Sequence, residues 1–491
     1  MTEIKSCLDY IEWEGLQKPY EIDSIDITDH IFTGTSLIKI WRDESYNIKA
    51  IISGIPNKND LEKISEGKIA GERIPTFQIT GTSHGGTTSF ELNGCYLTKI
   101  TESIIGNEQK FEAPLMVTEV KKKTNNKKDV AWLTDWYLNG SDFNSYFPRC
   151  TDRKGIVNFE RARSKIDKET KKFSGGCKNS LDSDFAFIDV KDFRFIISRV
   201  PTGLGPDWSC NIGIEFRNEF GGIPNSDKRE SIGEIASLII GRQLLPIGHS
   251  TFSDDGYPIE HVSFSPWGSN VIDKCERSDE SPIEISSGDR KSFESILSDL
   301  SRSYLNLRDN LCLRDVLWQY WIAQDNPIGT NLPIFSSALE TLKKAWFKSK
   351  DSKSKGVYMP KEDFNSLLEE DFKIIEEKLK EIKCHDRILN RMGNAFQMGV
   401  NEQFQFFFDE IALSISDIEN KVINSRNKMA HGHSTDSEEK QKEMVIMTWA
   451  YETLIHRVLL KILGYRGEYV DRSSLGFPKL NINTPMLMNI N

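Results

Sequence analysis

The sequence has no C-x-x-C pair, no P-loop lysine, no excess of positive charge and no apolar run of roughly 18 residues. Each absence removes a class of function. The eight cysteines (Cys7, Cys95, Cys150, Cys177, Cys210, Cys275, Cys312, Cys384) are scattered, which argues against a zinc knuckle or a dense disulfide scaffold and fits a reducing cytoplasm. Without an apolar run of bilayer length, no membrane span is expected. Met1 to Tyr10 lacks the basic start and apolar core of a secretory leader, so secretion is not expected either. The run Gly81 to Thr88 has the composition of a phosphate cradle but no lysine after its glycines, and a hairpin turn is the expected reading. The net charge of −10 opposes non-specific attraction of a polyanion. A nucleic-acid activity here needs a local basic cleft, such as one assembled from two subunits.

What is present describes a soluble globular chain. Its 491 residues are 38% hydrophobic and 28% charged, enough for two or three domains of about 100 to 250 residues each. Up to about residue 290, short alternating apolar runs are separated by Gly, Asn, Asp and Pro. They include Ser36 to Trp41, Lys49 to Ile55, Thr76 to Gly81, Ser89 to Ile100, Pro114 to Val120, Phe185 to Val200 and Cys210 to Phe216. Such runs read as strands. One stretch differs: Ser231 to Leu245 sets Ile232, Ile235, Ala236, Ile239 and Ile240 at helical spacing, and Pro246 with Gly248 is expected to stop that helix. Asp273 to Ser287, poor in apolar anchors, reads as a linker.

From about Asp289 the period becomes 3.6. Helices are expected within Lys291 to Ala323, from Pro333 through Trp346, after Pro360 and around Phe404 to Ile411. The helix after Pro360 places Phe364, Leu367, Leu368, Phe372, Ile375, Leu379 and Ile382 on its apolar side. Ser416-Asp417-Ile418-Glu419 is a capping box, opening a helix with Ile418, Val422 and Ile423 inward that runs toward Gly432. A last helix spans Ser437 to Leu463, with Met444, Met447, Tyr451, Leu454, Val458 and Ile462 as its stripe. The expected fold class is α+β: an N-terminal, mostly antiparallel β-rich domain over 1–288, then a C-terminal all-α bundle over 289–491.

Within the penultimate helix lies Arg426-Asn427-Lys428-Met429-Ala430-His431, an R-N-x-x-x-H string. Asn427 and His431 are four apart and share a helix face, while Arg426 lies one residue away with a long reach. RNA carries its own nucleophile, the 2′-hydroxyl. Cleavage therefore needs a base, an acid for the leaving 5′-oxygen and a cation for the phosphorane. Histidine suits the proton steps near neutral pH and arginine the phosphate. One imidazole cannot easily serve both sides of phosphorus, so a symmetric dimer that brings two copies of the string together is the natural arrangement.

This string, on the penultimate helix of a roughly 200-residue helical unit, resembles the HEPN domain, and a β-rich half preceding it is similar to ApeA-type abortive-infection proteins. The resemblance implies a metal-independent endoribonuclease of bacterial anti-phage defence, without a cofactor, acting on RNA with tRNA as a family-based guess. It implies a homodimer or higher homo-oligomer, a phage-derived trigger and no membrane partner. Arg426 would bind the phosphate, His431 would act as general acid or base, and Asn427 would orient substrate or histidine. Glu340 is an accessory candidate by analogy with an acidic residue on an earlier helix, against the reading of an exposed helix-face glutamate. His433 is a second nearby imidazole, either a substrate contact or a solvated loop residue. The competing reading is a non-catalytic HEPN-like dimerisation module with a β-rich domain that recognises a carbohydrate or protein.

Other features have plainer readings. Cys384-His385 lacks a second ligand pair, Trp132 to Tyr137 reads as core, Lys121 to Lys128 as a solvated hairpin tip, and His456 as a satisfied or interfacial histidine.

Overall fold

The computed structural model describes residues 13–16, 19–22, 24–27, 35–54, 76–83, 86–97, 101–105, 108–125, 128–141, 151–154, 158–163, 170–174, 180–182, 185–200, 204–266, 271–277, 280–284, 290–349, 352, 355–430 and 437–487. An antiparallel β-sheet region comes first in the chain and a helical region follows, an α+β fold. The chain divides into two compact units, 1–280 with 285–302 and 281–284 with 303–491.

The first unit begins with β1 (Tyr20–Ile22), β2 (Ser24–Ile27), β3 (Thr35–Arg42), β4 (Ile48–Gly54), β5 (Phe77–Thr82), β6 (Thr88–Leu97), β7 (Thr101–Ile105), β8 (Glu108–Val117) and β9 (Glu119–Thr124). After β10 (Trp132–Gly140), a separate four-stranded sheet holds β11 (Thr151–Lys154), β12 (Asn158–Arg163), β13 (Thr170–Ser174) and β14 (Ser180–Asp182). Then come β15 (Phe185–Val190), β16 (Phe193–Arg199), β17 (Cys210–Arg217), helix α1 (Ser226–Ile240), β18 (Leu245–Phe252), β19 (Pro258–Phe264) and the short α2 (Val271–Cys275).

One path of paired strands runs β2, β5, β6, β9, β19, β18, β10, β17, β16, β15. The far end of β6 also pairs with β8, joining this path to the β1, β3, β4, β8, β7 ladder. Period-two alternation explains the core: Ile48, Ala50 and Ile52 of β4, with Leu115 of the adjacent β8, point inward and cluster with Ile79, Leu92 and Val120 from the other ladder.

Several expectations are corrected. The run Pro114 to Val120 is not one strand but the end of β8 and the start of β9, broken at Thr118. Thr118 donates from Oγ1 to the Asn93 carbonyl at 2.8 Å and crowds Gly94, where a Cβ would fall 2.0 Å from that Oγ1 and φ is +61°. Only glycine fits there. Helix α1 starts earlier than its periodicity suggests, because Asn225 accepts from Lys228 N at 3.0 Å, and it stops at left-handed Gly241. Pro246 and Gly248 therefore stop no helix; they lie inside β18, Pro246 beside a register shift where a missing N–H is tolerated. The expected linker is partly structured: Cys275 and Ile283 are buried, and Val470 N donates to Pro282 O at 3.0 Å.

The helix α3 (Arg290–Leu307) carries the chain across the division between units. The second unit continues with α4 (Leu313–Asp325), α5 (Leu332–Lys348), α6 (Lys361–Leu379), α7 (His385–Gly393), α8 (Val400–Glu410), α9 (Asp417–Ala430) and α10 (Glu438–Ile462). Two features were not anticipated in this region: α7, which starts at Cys384 in a left-handed conformation, and a two-stranded ladder of β20 (Glu468–Val470) with β21 (Lys479–Asn481). Its Tyr469 is buried and lies 5.0 Å under the guanidinium of Arg457, so the ladder caps the helices with an aromatic ring. Among the described residues, no helix is long and apolar enough to cross a membrane.

Candidate functional site

Helix α9 carries the R-N-x-x-x-H string, and its start is firmly fixed. Ser416 precedes the helix, and Glu419 reaches back to accept from the Ser416 backbone N–H at 2.7 Å and from its hydroxyl at 2.9 Å. That is the returning half of the expected capping box. The other carboxylate oxygen of Glu419 takes Arg457 of α10 in an ion pair with both side chains fully buried. Arg457 also donates to the Ser414 carbonyl at 3.0 Å and lies over Tyr469. Ile418, Val422 and Ile423 are buried as expected, and Lys421 bridges to Glu443 of α10 at 2.6 Å.

The last turn of α9 contains Arg426 and Asn427. Their side chains lie outside what the structure describes, as do His431 and His433 altogether. Glu340 sits on α5, which packs against both α9 and α10. Its carboxylate pairs with Lys344, one turn on, at 3.6 Å and is 30% exposed. The helices bearing Glu340 and Arg426 are thus neighbours.

Around α10 a second polar group is enclosed. His456 Nε2 lies 2.8 Å from the Tyr320 hydroxyl, which also accepts from Gln324 Nε2 at 3.0 Å. Burial, and secondarily the charge of Arg472, pushes His456 down to about 3, so it is neutral at ordinary pH. It is a core histidine satisfied at Nε2, while its buried Nδ1 has no hydrogen-bond partner among the described residues. Cys384 is exposed and His385 is 3.1 Å from Asp386.

In the β unit, register exposes a feature that motif reading missed. Asp26, Thr80, Glu91, Lys121, Val262, His249 and Asp135 are successive cross-strand neighbours, and the row continues through Ile214, Ile197 and Ala186. The next row on the same face starts Ser24, Thr82, Ser89, Lys123, Glu260. The polar ends of both rows line a cleft of about 540 Å³. Lys121 stands 3.4 Å from Glu119 and 3.9 Å from Glu91, and these carboxylates hold it above its usual value.

Where the rows become apolar, α1 covers the sheet, with Arg229 bound to Asp135 at 3.0 Å. Burial pushes Asp135 up to about 6 against the opposing pull of Arg229, and burial followed by Arg229 pushes His249 down to about 4. The signal was present in the sequence as polar residues two apart: Gln78, Thr80, Thr82; Ser89, Glu91, Asn93; Glu119, Lys121, Lys123.

The remaining sequence candidates fall into the fold. Gly81 and Thr82 end β5 and the run to Thr88 turns the β5–β6 hairpin, with His84 and Gly85 outside the described residues. Trp132 to Tyr137 lie on the fully buried β10. The basic run is not wholly solvated: Lys122 is buried, its Nζ 3.8 Å from the Tyr20 ring centroid. Ser250 Oγ is 2.6 Å from His261 Nδ1, the spacing of a nucleophile and base, but both are buried and Trp136 donates to the same hydroxyl at 2.9 Å. That pair is core. Among the described residues, no group of three or more His, Cys, Asp or Glu side chains is placed to hold a metal ion. No family model matches the chain, and no curated protein or solved structure matches it.

Proposed function

We propose that this chain is an anti-phage abortive-infection effector whose helical unit is a metal-independent endoribonuclease of the HEPN type, working in the cytoplasm as a homodimer. The supporting observation is α9 itself: one helix, clamped at its start by the Glu419–Arg457 pair, carries Arg426 and Asn427 in its last turn, immediately before His431 in the sequence. A rigid support is what a catalytic pair requires, because small displacements of acid and base are costly in rate. The end of a helix also favours an imidazolium, the form that donates a proton to the leaving oxygen.

In this reading a histidine takes the 2′-hydroxyl proton, the 2′-oxygen attacks phosphorus, and Arg426 neutralises the phosphorane. A second histidine, from the partner's copy of the string, protonates the 5′-oxygen as its bond to phosphorus breaks. The products are a 2′,3′-cyclic phosphate and a 5′-hydroxyl. RNA is the substrate, with tRNA as the first class to try, and a phage-derived signal relieves restraint.

The test is purified protein with total cellular RNA in EDTA, alone and with extract of infected cells, beside Arg426→Ala and His431→Ala. Cutting by the parent with cyclic-phosphate ends is expected, and each alanine variant should lose roughly 10²- to 10⁴-fold in rate. Equal cutting by parent and variants would exclude this site.

The cleft on the β unit favours a second reading, in which that unit recognises a ligand and the helical unit only associates. Three carboxylates, two lysines and four hydroxyls around the cleft suit a polyhydroxylated ligand such as a carbohydrate. Saturable carbohydrate binding with no RNA turnover in infected extract would select it.

A further inference from the structure

Between β10 and β15 the chain builds a sheet of its own, in the order β13, β12, β11, β14. Its register sorts the charges by face. Arg153 pairs with Arg161, which pairs with Lys171, so three cationic residues stand side by side across three strands. Ser180 completes that row beside Arg153. One row along on the same face, Phe159 pairs with Phe173; one row along in the other direction, Thr151 lies between Arg163 and Asp182. This face therefore holds four cationic residues, one acidic residue and a directly paired couple of aromatics.

The opposite face of the same strands is balanced. There Glu160 holds the middle register position between Lys154 and Lys172, and the next row is Leu181, Asp152, Ala162 and Thr170. On the first face Arg161 stands between two further cationic residues, with no acid in its row. Like charges directly opposite one another destabilise a sheet, and an anionic partner lying across the row removes that repulsion. In a chain of net charge −10, such a row is also the local concentration of base that a polyanion needs. Phosphate alone does not account for Phe159 and Phe173, which lie two residues, or roughly 7 Å, further along the strands. A duplex keeps its bases stacked inside and leaves aromatic residues unused, whereas a single strand can splay its bases onto them while its phosphates meet the planar forks of arginine.

We propose that this face of the β11 to β14 sheet binds single-stranded RNA, with Arg153, Arg161, Arg163 and Lys171 taking phosphates and Phe159 with Phe173 stacking bases. The choice of RNA over DNA rests on the ribonuclease reading; the site itself rests on register and charge. Binding of this kind tolerates many sequences and falls steeply with salt. It gathers RNA through residues separate from Arg426 and His431, which are assigned to the cutting step.

The test is fluorescence anisotropy of the full-length chain with a labelled, mixed-sequence 2′-O-methyl RNA of about 12 nucleotides, within the span that single-strand surfaces cover. Its blocked 2′-oxygen prevents cutting. Arg161→Gln with Lys171→Gln is expected to weaken binding and to lower the slope of log affinity against log salt by about 1.4, at roughly 0.7 per phosphate contact. Phe159→Ala should lose roughly 5- to 150-fold in affinity with the slope unchanged. Lys154→Gln with Lys172→Gln removes the same charge from the opposite face and should leave affinity and slope as in the parent. No binding by the parent, equal loss in the two charge pairs, or tighter binding to phosphatidylserine vesicles than to the RNA overturns the proposal. On cleavable RNA, Arg161→Gln with Lys171→Gln should raise KM and keep kcat. An unchanged KM overturns the RNA-binding face and leaves the ribonuclease standing, whereas tight binding by a parent that cuts nothing in infected extract sinks the ribonuclease and keeps the face.

Discussion

Helices α6 and α10 have similar periodicity and opposite fates. Each reads in sequence as an amphipathic helix with one apolar stripe. In the fold, Phe364 alone of α6 is buried, whereas α10 is buried on almost every side from Met447 to Leu460, Glu452, His456 and Arg457 included. Only Trp449 interrupts it, at 40% exposure. Periodicity records which residues favour a dry neighbour; it does not record whether the same chain supplies one. For α10 the neighbours come from α5, α9 and β20, and the polar residues on its other sides are then held inside by partners they find there.

Breaking those partnerships should cost far more in α10 than in α6. The largest effect is expected at Arg457→Ala, which leaves Glu419 charged and buried and should lower the unfolding free energy by roughly 3 to 5 kcal/mol in urea titration. Arg457→Met with Glu419→Leu should recover most of that loss; no recovery would mean that the pair's geometry, rather than its burial, holds α9.

Next comes pH. The folded value of His456, about 3, lies below its ordinary 6.5, so between these limits the unfolded chain binds the extra proton. Its contribution is complete above pH 6.5 and is lost as pH falls toward 3, on the order of 2 kcal/mol by pH 5. His456→Asn should flatten stability against pH in that window, and an unchanged slope would place the titration elsewhere. In the β unit the same measurement is partly offset: His249 loses stability as pH falls below 6.5, while Asp135, raised to about 6, regains it between 6 and 3.8.

Smaller still, Tyr320→Phe removes the hydroxyl between His456 and Gln324 and should cost about 1 to 2 kcal/mol. At the bottom of the scale, Leu367→Ala should change the unfolding of the chain by less than about 0.5 kcal/mol. A loss of about 2 kcal/mol there would make α6 core and remove the contrast.

Much of the architecture was legible. Ser416 and Glu419 mark the start of α9 because capping needs only four consecutive residues. The alternation of Ile48, Ala50 and Ile52 placed β4 because its period is local. Pro246 misled because a proline that stops helices also tolerates a register shift in a strand, and choosing between these depends on Tyr137, more than a hundred residues earlier. The polar alternation of β5, β6 and β9 stands in the sequence, but the cleft bounded by Asp26, Glu91, Lys121 and Glu260 does not, since its residues meet only through the pairing of β2, β5, β6, β9 and β19. Arg426 and Asn427 were legible as helical, and Glu340 as a helix residue one turn before Lys344, the i,i+4 spacing at which they pair; that its helix packs against α9 was not.

By itself the sequence determined the switch from period two to period 3.6, the capped start of α9, and the string Arg426, Asn427 and His431 near that helix's end. These follow from propensities and spacings within a few residues. The tertiary structure alone decided that Glu419 and Arg457 meet, that His456 stays neutral, that Asp26, Thr80, Glu91 and Lys121 stand side by side across the sheet, and that Leu367 and Ile374 of α6 are left exposed. Burial, protonation and exposure are set by what faces a residue across the fold, and that neighbour comes from distant chain.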